Sequence, residues 1–585
     1  MRGSVNRASI HREPAFWLVL LLAVAMYLPR LTTLTIRGEE SRRAVIAREM
    51  IKTGDWIVPR TQGEVRLSRP PLQNWMIAGL AVLAGEMDAW SIRLPGVMAT
   101  VLTVGLVYWS ARQTLSITGA VVAAAAYASF FHVLELGGTG ETEPVFTLLV
   151  AASLLLWHGL FNSSRHTLCA VLPSSENARQ RHTECACYYW AWTLGGACAG
   201  LAMLTKGLQA PLYFFGSTWA YLLLTRQYRA LFQPSHFVGL ASFAVVVGSW
   251  QAAFMWQMGI ENGWMIYFWN VAERFNDNRT STYLVHFLTY PPSVVFGCLM
   301  PWSVLLLAYL HPQVRSNLGP RRDQAVFMVT SILICLPSVW LPPEARPRYF
   351  MPLFPCFAIL VGIAGEILYE HAGERVGQIW INFARIAGWL FGATAVALPL
   401  TSLLWPASPY AIPLWQSAAT AIALLIAAVV IRNSLTLAPQ PGMTRAAFAI
   451  AAGLGVIHVG PFLTVQQQRS ENLPAAVAAL EVQLPRDVQL VSFDHVHHVF
   501  LYYYGRDVKL LPWPQSAADV PGDVNYFCVE VRGNQVPELP FLWDEVASLP
   551  VDRHRRNPPR ERVVVGKRRA ESRADVVQSA SPVRL

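Results

Sequence analysis

The sequence predicts a polytopic α-helical membrane protein that carries a small α/β extracytoplasmic domain at its C-terminal end. Three observations carry that prediction. Apolar residues make up 54% of the 585-residue chain and charged residues only 14%, against about 25% charged in a soluble globular protein. The missing charge is concentrated in long uncharged runs, each close to the ~20 apolar residues that cross a hydrocarbon core. From Gln466 onward the character changes: charge rises and no run is long enough to cross.

The first apolar run covers 16–31, after Arg2, Arg7 and Arg12. No small-residue cleavage site follows it, because Thr35-Ile36-Arg37-Gly38 leads into a charged segment. The run therefore reads as an uncleaved span with a cytoplasmic N-terminus. Further runs near 95–112, 117–134, 142–160, 189–204, 208–225, 236–256, 290–310, 324–341, 350–369, 386–404, 411–431 and 446–464 bring the expected total to about 13. A shorter apolar stretch, 71–85, reads as an interfacial helix. Its anchors are Trp75 and, in the loop beyond, Trp90.

Net charge is +10. The basic residues lie between apolar runs and in the tail, which suits topology and anionic lipid rather than nucleic acid. Arg165, Arg179, Arg181, Arg226, Arg229, Arg315, Arg321, Arg322, Arg432 and Arg445 all fall in loops that a cytoplasmic N-terminus places inside. The outer segments are then 37–94, 135–141, 205–207, 257–289, 342–349, 405–410 and everything after about 465. Eight cysteines include one close pair, Cys185 and Cys187. Cys-x-Cys without a second pair is a poor zinc signal, so these read as ordinary thiols in a reducing compartment.

The transmembrane domain is expected over 1–464, with 37–94 as its first outer loop. A soluble α/β domain follows over 465–553: a helix over 472–483, strands at 488–493, 508–511 and 526–531, and a short helix at 495–504. The tail 554–585 is basic and reads as disordered. Within the soluble domain, Asp494, His495, His497 and His498 invite a metal reading, but a turn with surface histidines is favoured.

The segment with most chemistry is Gly38-Glu39-Glu40-Ser41-Arg42-Arg43-Ala44, just beyond the first span. A carboxylate can take a proton from a nucleophile while arginines hold a phosphate. The plainer alternative is an amphipathic interface helix with charge pairs one turn apart. Gly54-Asp55-Trp56 and Arg69-Pro70-Pro71-Leu72 follow, and Arg69 could grip a lipid phosphate at headgroup depth.

These segments resemble the type C (GT-C) lipid-linked-sugar glycosyltransferases, in particular the aminoarabinose transferases that modify lipid A and the protein O-mannosyltransferases. That family carries Asp-Glu-x-Arg-Tyr-Ala, then Gly-Asp-Trp and Lys-Pro-Pro-Leu. Here Glu39 stands where the family has its essential aspartate, Arg43 replaces the tyrosine and Arg69 replaces the lysine. Further likenesses are Glu141-Thr142-Glu143-Pro144 to a second acidic site, Leu204-Thr205-Lys206-Gly207 to Leu-Thr-Lys-Gly, Glu273-Arg274-Phe275 to a loop ending in Arg-Phe, and Pro301-Trp302 to a Pro-Trp. The stretch Arg346-Pro347-Arg348-Tyr349 is similar to Lys-Leu-Pro-x-Tyr. Leu501-Tyr502-Tyr503-Tyr504-Gly505 resembles an outer-domain segment that packs the domain. The similarity covers roughly 15–365.

The resemblance implies an inverting transfer of a sugar from a polyprenyl-phosphate donor to a lipid A-like or other envelope acceptor, at the outer face of the cytoplasmic membrane. A protein hydroxyl is the alternative acceptor. Glu39, Glu40 and Glu143 are the catalytic candidates. Arg42, Arg43, Arg69, Lys206, Arg274, Arg346, Arg348 and Tyr349 are the candidates for holding lipid phosphate and sugar. No cofactor is required by the reading, and a divalent metal is left open. The expected partners are the donor, a lipid or protein acceptor and membrane lipids, with no nucleic acid. Glutamate for aspartate moves the carboxylate by about one C–C bond, ~1.5 Å. Two rival classes are a flippase for a lipid-linked solute and a scaffold displaying the outer domain. No repeated halves favour the first, and the second leaves the outer charges unexplained.

Overall fold

The computed structural model describes residues 7–168, 177–272, 280–552, 554 and 558–569. The chain divides into two compact units. The first comprises Met1–Leu31, Trp56–Val58 and Leu67–Val465. The second comprises Thr32–Asp55, Pro59–Arg66 and Gln466–Leu585.

Among the described residues every regular element of the first unit is a helix, and the chain is a multi-pass membrane protein. Eight helices among the described residues are long and apolar enough to cross a membrane, or nine if the pair Thr282–Cys298 and Trp302–Leu310, bent by 118°, forms one span. That is fewer than the expected 13. Two of the expected spans are short helices, Pro14–Tyr27 and Ile117–Ser129, and 14 residues rise only about 21 Å. The run at 208–225 is divided into Gln209–Pro211, a π-turn Leu212–Gly216 and Ser217–Leu224. Composition finds apolar stretches, but it does not register where the backbone changes its hydrogen-bond register. The stretch read as interfacial is the helix Leu72–Ala84.

Enclosure differs sharply among the spans. The window in Pro347–Glu370 is 94% buried by protein, whereas that in Gln378–Leu404 is 11% buried and presents Ile386, Trp389, Leu390 and Val396 outward. Charges inside this unit are met locally. Glu366 is fully buried and accepts from the Ser116 hydroxyl at 2.5 Å and the Gly119 backbone N–H at 3.1 Å. Glu13 pairs with Arg112 at 2.7 Å and accepts from Tyr108 Oη at 2.5 Å.

The second unit is an α/β domain, and it contains more of the chain than the sequence suggested. Its helix Glu39–Thr53 and a hairpin of β1 (Arg60–Thr61) and β2 (Glu64–Val65) come from the segment assigned above to the first outer loop. The rest is the helix Leu473–Gln483, β3 (Val491–Phe493), the helix His498–Tyr504, β4 (Lys509–Leu511), β5 (Tyr526–Arg532), β6 (Trp543–Pro550) and β7 (Glu561–Arg568). The sheet order is β4-β3-β5-β7-β6, parallel across β4, β3 and β5 and antiparallel beyond.

The sequence reading misses β6, and β7 lies in the tail that was expected to be disordered. In β7, Val563 and Val565 face one core while Val564 faces the other. The charged residues flanking these three valines concealed a central strand.

Val45 of the helix Glu39–Thr53 is buried among Leu473, Val477, Leu480, Phe500 and Val563. The helix is therefore part of this domain's core rather than a solvated interface helix. Arg48 donates to the carbonyls of Leu501 at 2.6 Å and Tyr502 at 3.3 Å, near the C-terminal end of the helix His498–Tyr504, where partial negative charge gathers. The hairpin turn has positive φ at Gln62 (53°) and Gly63 (78°), the type I′ pattern that suits the strand twist. The Glu49 carboxylate accepts both turn N–H groups. Gln62 also donates to Ser492 Oγ at 2.8 Å. Val45→Ala should therefore cost the α/β unit about 2 kcal/mol through lost burial and a residual cavity, read as a lower melting temperature and faster proteolysis. Ile51→Ala, on the exposed side of the same helix, should stay within about 0.5 kcal/mol.

Candidate functional site

Within the membrane unit, a charged cluster forms where two helix ends meet a short turn. Glu143 lies in the first turn of the helix Thr142–Leu168, and Lys206 is the last residue of Asn177–Lys206. Each charge is at the helix end whose dipole favours it. Gly207, at φ +98°, supplies the left-handed residue that ends the second helix. The turn before Glu143 lies against the helix Ala89–Ala111. A Cβ at Gly96 would sit 2.1 Å from the Thr139 carbonyl, so only glycine lets the two backbones approach.

Lys206 Nζ is 3.1 Å from Glu143 Oε1, with side-chain exposures of 0% and 1%. Arg348 pairs with Glu141 at 2.6 Å and lies 3.7 Å from Glu143. It is brought there by the 3-10 turn Pro347–Leu353, which packs on Thr142–Leu168. Lys206 also lies 4.6 Å from the centroid of the Tyr349 ring and 5.4 Å from that of Phe146. Arg69 is buried and donates to Thr142 Oγ1 at 3.2 Å.

Three cations, Arg69, Lys206 and Arg348, thus face two carboxylates. The carboxylates answer Lys206 and Arg348. Among the described residues, no carboxylate lies within ion-pair distance of Arg69. A buried guanidinium left in this state is costly unless an anion completes it. Arg346 is exposed at the start of the same 3-10 turn, and its carbonyl accepts from Tyr290 Oη at 3.5 Å.

Buried amides that the sequence reading missed border this cluster. Gln73 Nε2 donates to the Gly140 carbonyl at 3.3 Å, but its Oε1 has no partner. Asn74 is fully buried, and Gln209, just past Lys206, is buried as well; among the described residues neither amide atom of either has a partner. Buried polar groups are nearly always hydrogen-bonded, so these atoms can accept and donate to a hydroxyl-rich ligand or to water. Their signal in the sequence was polarity inside otherwise apolar stretches beside the charged motifs.

The remaining predicted residues lie in the α/β unit. Glu39 is bridged by Arg42 at 2.9 Å and by Arg43 at 3.0 Å, and Arg43 is 1% exposed. Both arginines therefore answer Glu39 one turn away, as the plainer reading had it. Glu40, beside Glu39 in the first turn of that helix, is buried. Arg274 lies outside the described residues.

The histidines lie at the turn between β3 and the helix His498–Tyr504, as expected, but they are not equally at the surface: His495 is exposed and pairs with Glu64 at 2.9 Å, while His497 and His498 are partly buried. His498 Nδ1 is 2.8 Å from Ser41 Oγ. Burial, with the neighbouring His497 and Arg42, holds the His498 ring well below the usual histidine range. Burial likewise brings His497 down to about 4, helped by Arg42 and Arg37 and opposed by Asp552. Among the described residues, no three His, Cys, Asp or Glu lie together as a metal cage. In the membrane cluster, Glu141 and Glu143 are already committed to cations.

The chain is similar to several known proteins. Residues 68–172 match the family profile described as Dolichyl-phosphate-mannose-protein mannosyltransferase. An undecaprenyl phosphate-alpha-4-amino-4-deoxy-L-arabinose arabinosyl transferase of Pseudomonas aeruginosa is 29% identical over 354 residues, 59% of this chain. One of Edwardsiella ictaluri is 28% identical over 399 residues, covering 66% of each chain. The Pseudomonas alignment spans 59% of that relative's own length. The crystal structure of ArnT from Cupriavidus metallidurans bound to undecaprenyl phosphate superposes with a TM-score of 0.63 at 19% identity, covering 94% of this chain and 97% of that one. The chain shares the fold of that ArnT structure. In sequence it is similar to the aminoarabinose transferases.

Two outcomes follow. Lys206→Met leaves buried Glu143 with only the more distant Arg348, at 3.7 Å, and should destabilise the detergent-solubilised protein by about 3 kcal/mol; Lys206→Met with Glu143→Gln should recover much of that in a melting experiment. In the unfolded chain a histidine titrates near ~6.5, above its range in the fold. Between about 4 and that value the unfolded state binds the His497 proton and the folded state does not. The histidine contribution to stability is therefore complete above pH ~6.5 and is lost as pH falls toward about 4. Melting of the α/β unit should drop through that window, and His497→Asn should flatten the drop.

Proposed function

We propose that this protein is a membrane glycosyltransferase that moves a sugar from a polyprenyl-phosphate donor to a hydroxyl or phosphate oxygen of a lipid A-like acceptor. The observation that carries the reading is Arg69: a buried cation in a cluster of net positive charge that, among the described residues, hydrogen-bonds to a hydroxyl and has no carboxylate within ion-pair distance. The relatives' activity suggests the kind of anion, a polyprenyl phosphate. The location that suits this chemistry is the outer face of the inner membrane, with the N-terminus cytoplasmic and the α/β unit outside. The distribution of arginine among the inner loops supports that orientation.

In the reaction, the bond between the sugar C1 and the donor phosphate oxygen breaks, and a bond from C1 to the acceptor oxygen forms on the opposite face, inverting the centre. The leaving polyprenyl phosphate gains a negative charge. Arg69, Lys206 and Arg348 therefore stabilise the transition state more than the bound donor. Where the acceptor is a hydroxyl, we assign its proton to the carboxylate of Glu39 on the strength of its motif, in which it stands where the resembled family has its essential aspartate; Arg42 and Arg43 hold that carboxylate in one orientation. Glu143 keeps Lys206 charged and fixed in place. The unsatisfied amides of Gln73, Asn74 and Gln209 suit sugar hydroxyls. No step requires a metal. The match of 68–172 to a protein mannosyltransferase profile favours a second acceptor, a protein hydroxyl.

Purified protein given radiolabelled polyprenyl-phosphate sugar and lipid acceptor in mixed micelles should transfer label. Arg69→Gln should lower kcat/KM by about 100-fold or more, on the scale of losing one charge-stabilising donor, and Arg69→Lys should recover part of it. Glu39→Gln should abolish transfer to a hydroxyl acceptor with expression unchanged. Full turnover in both Arg69→Gln and Glu39→Gln, or label that crosses a vesicle membrane without being transferred, would overturn the reading in favour of a flippase.

A further inference from the structure

The helix Glu39–Thr53 and the helix His498–Tyr504 meet through one imidazole. His498 Nδ1 is 2.8 Å from Ser41 Oγ, and Nε2 is 3.4 Å from Arg42 Nη2. Ser41 Oγ is also 2.9 Å from the Gly38 carbonyl. Donors and acceptors fix the direction of this chain. A guanidinium can only donate, so Nε2 accepts. A neutral ring then carries its proton on Nδ1, which donates to Ser41 Oγ, and the serine proton goes on to the Gly38 carbonyl. Arg42 meanwhile holds Glu39 Oε1 at 2.9 Å, and Arg43 holds Oε2 at 3.0 Å.

We propose that His498 is a positioning residue for Glu39: from the C-terminal part of the chain, its ring fixes Ser41 and the guanidinium of Arg42, and Arg42 fixes the carboxylate. This inference rests on the transferase reading, in which Glu39 takes the acceptor proton. The groups facing the ring are His497, whose ring centroid is 4.3 Å away, Arg42 and Arg43, which disfavour a second proton on it, and Glu39, which favours one. The cations together with burial keep the ring neutral, and only a neutral ring can accept from Arg42. The C-terminal domain thereby contributes to the chemistry while no atom of His498 need touch substrate.

The two ring nitrogens can be tested separately. An asparagine amide lies near the place of Nδ1, and a glutamine amide near the place of Nε2. His498→Asn should keep the Ser41 contact, lose the Arg42 contact and lower kcat about tenfold, a typical cost of removing such a supporting bond. Donor KM and the melting temperature should change little. His498→Gln should restore most of kcat. In an Arg42→Ala background, His498→Asn should cost nothing further, because the histidine acts through that arginine.

Independent, multiplying losses in the double variant would overturn the proposal. So would a loss of kcat that merely follows a fall in melting temperature in both His498 variants, or unchanged kcat in His498→Asn. A wild-type protein that transfers no label would sink the transferase reading and this inference with it, a result distinct from an active wild type whose His498 variants are indifferent.

Discussion

A charge taken out of water must be met by an opposite charge or by well-placed dipoles, and most of this molecule's architecture answers that constraint. Lys206 and Glu143 are both buried, at the ends of neighbouring helices, and neither is tolerable there alone. Their pairing fixes the register of Asn177–Lys206 against Thr142–Leu168. Arg348 then has a defined carboxylate in Glu141, and the turn carrying Tyr349 is drawn onto the same helix end. Elsewhere in the unit, Glu13 with Arg112 and Glu366 with Ser116 and Gly119 solve the same problem. Against this consistency Arg69 is the departure: among the described residues its hydrogen bond goes to the Thr142 hydroxyl, and no carboxylate lies within ion-pair distance, although it adds to the positive field on Glu143. Local rules tend to be broken where a ligand completes the account.

The α/β unit obeys a different constraint. It is too small to be generous with its core, and it borrows a helix and a hairpin from the N-terminal part of the chain to fill it. Val45 enters the apolar cluster with residues more than four hundred positions away. Gln62 and Glu49 tie the hairpin turn with side-chain bonds to backbone and to Ser492. Such an arrangement makes the orientation of Glu39 a property of the whole domain. A carboxylate clamped by Arg42 and Arg43 on a helix that is itself packed has little freedom left, which is what a proton acceptor of fixed direction requires.

Much of this could be read from the amino acids. The low charge, the uncharged runs and the change after Gln466 indicate a helical membrane body and a soluble domain. The strands at 491–493, 509–511 and 526–532 lie where β-branched and aromatic residues are gathered. Lys206, Glu143, Arg348 and Tyr349 were nominated separately by their motifs, and they come together in space. What escaped has physical reasons. Hydropathy cannot distinguish a continuous helix from one interrupted by a π-turn, so fewer uninterrupted helices of spanning length are found among the described residues than apolar runs in the sequence. The valines of β7 were hidden by the charges on either side. His498 looked like surface because its partners, Ser41 and Arg42, are 457 and 456 positions earlier; no local pattern encodes a contact of that range. Gln73, Asn74 and Gln209 went unnoticed because a lone amide in an apolar stretch has meaning only once its lack of a partner is visible.

The distance between Ser41 and His498 also has a meaning in time. A ribosome adding roughly 5–20 residues per second needs about 20–90 s to go from one to the other. Throughout that interval the segment bearing Glu39 has emerged while its core partners do not yet exist. Val45 has no apolar cluster to enter, and Arg48 has no helix end to cap. The nascent protein can therefore assemble much of its membrane body, with the Lys206–Glu143 pair in place, before the helix that carries the proposed proton acceptor can find its final orientation. Completion of the C-terminal domain would then be the last step of maturation, so that a chain whose synthesis stopped early would be inserted but inert.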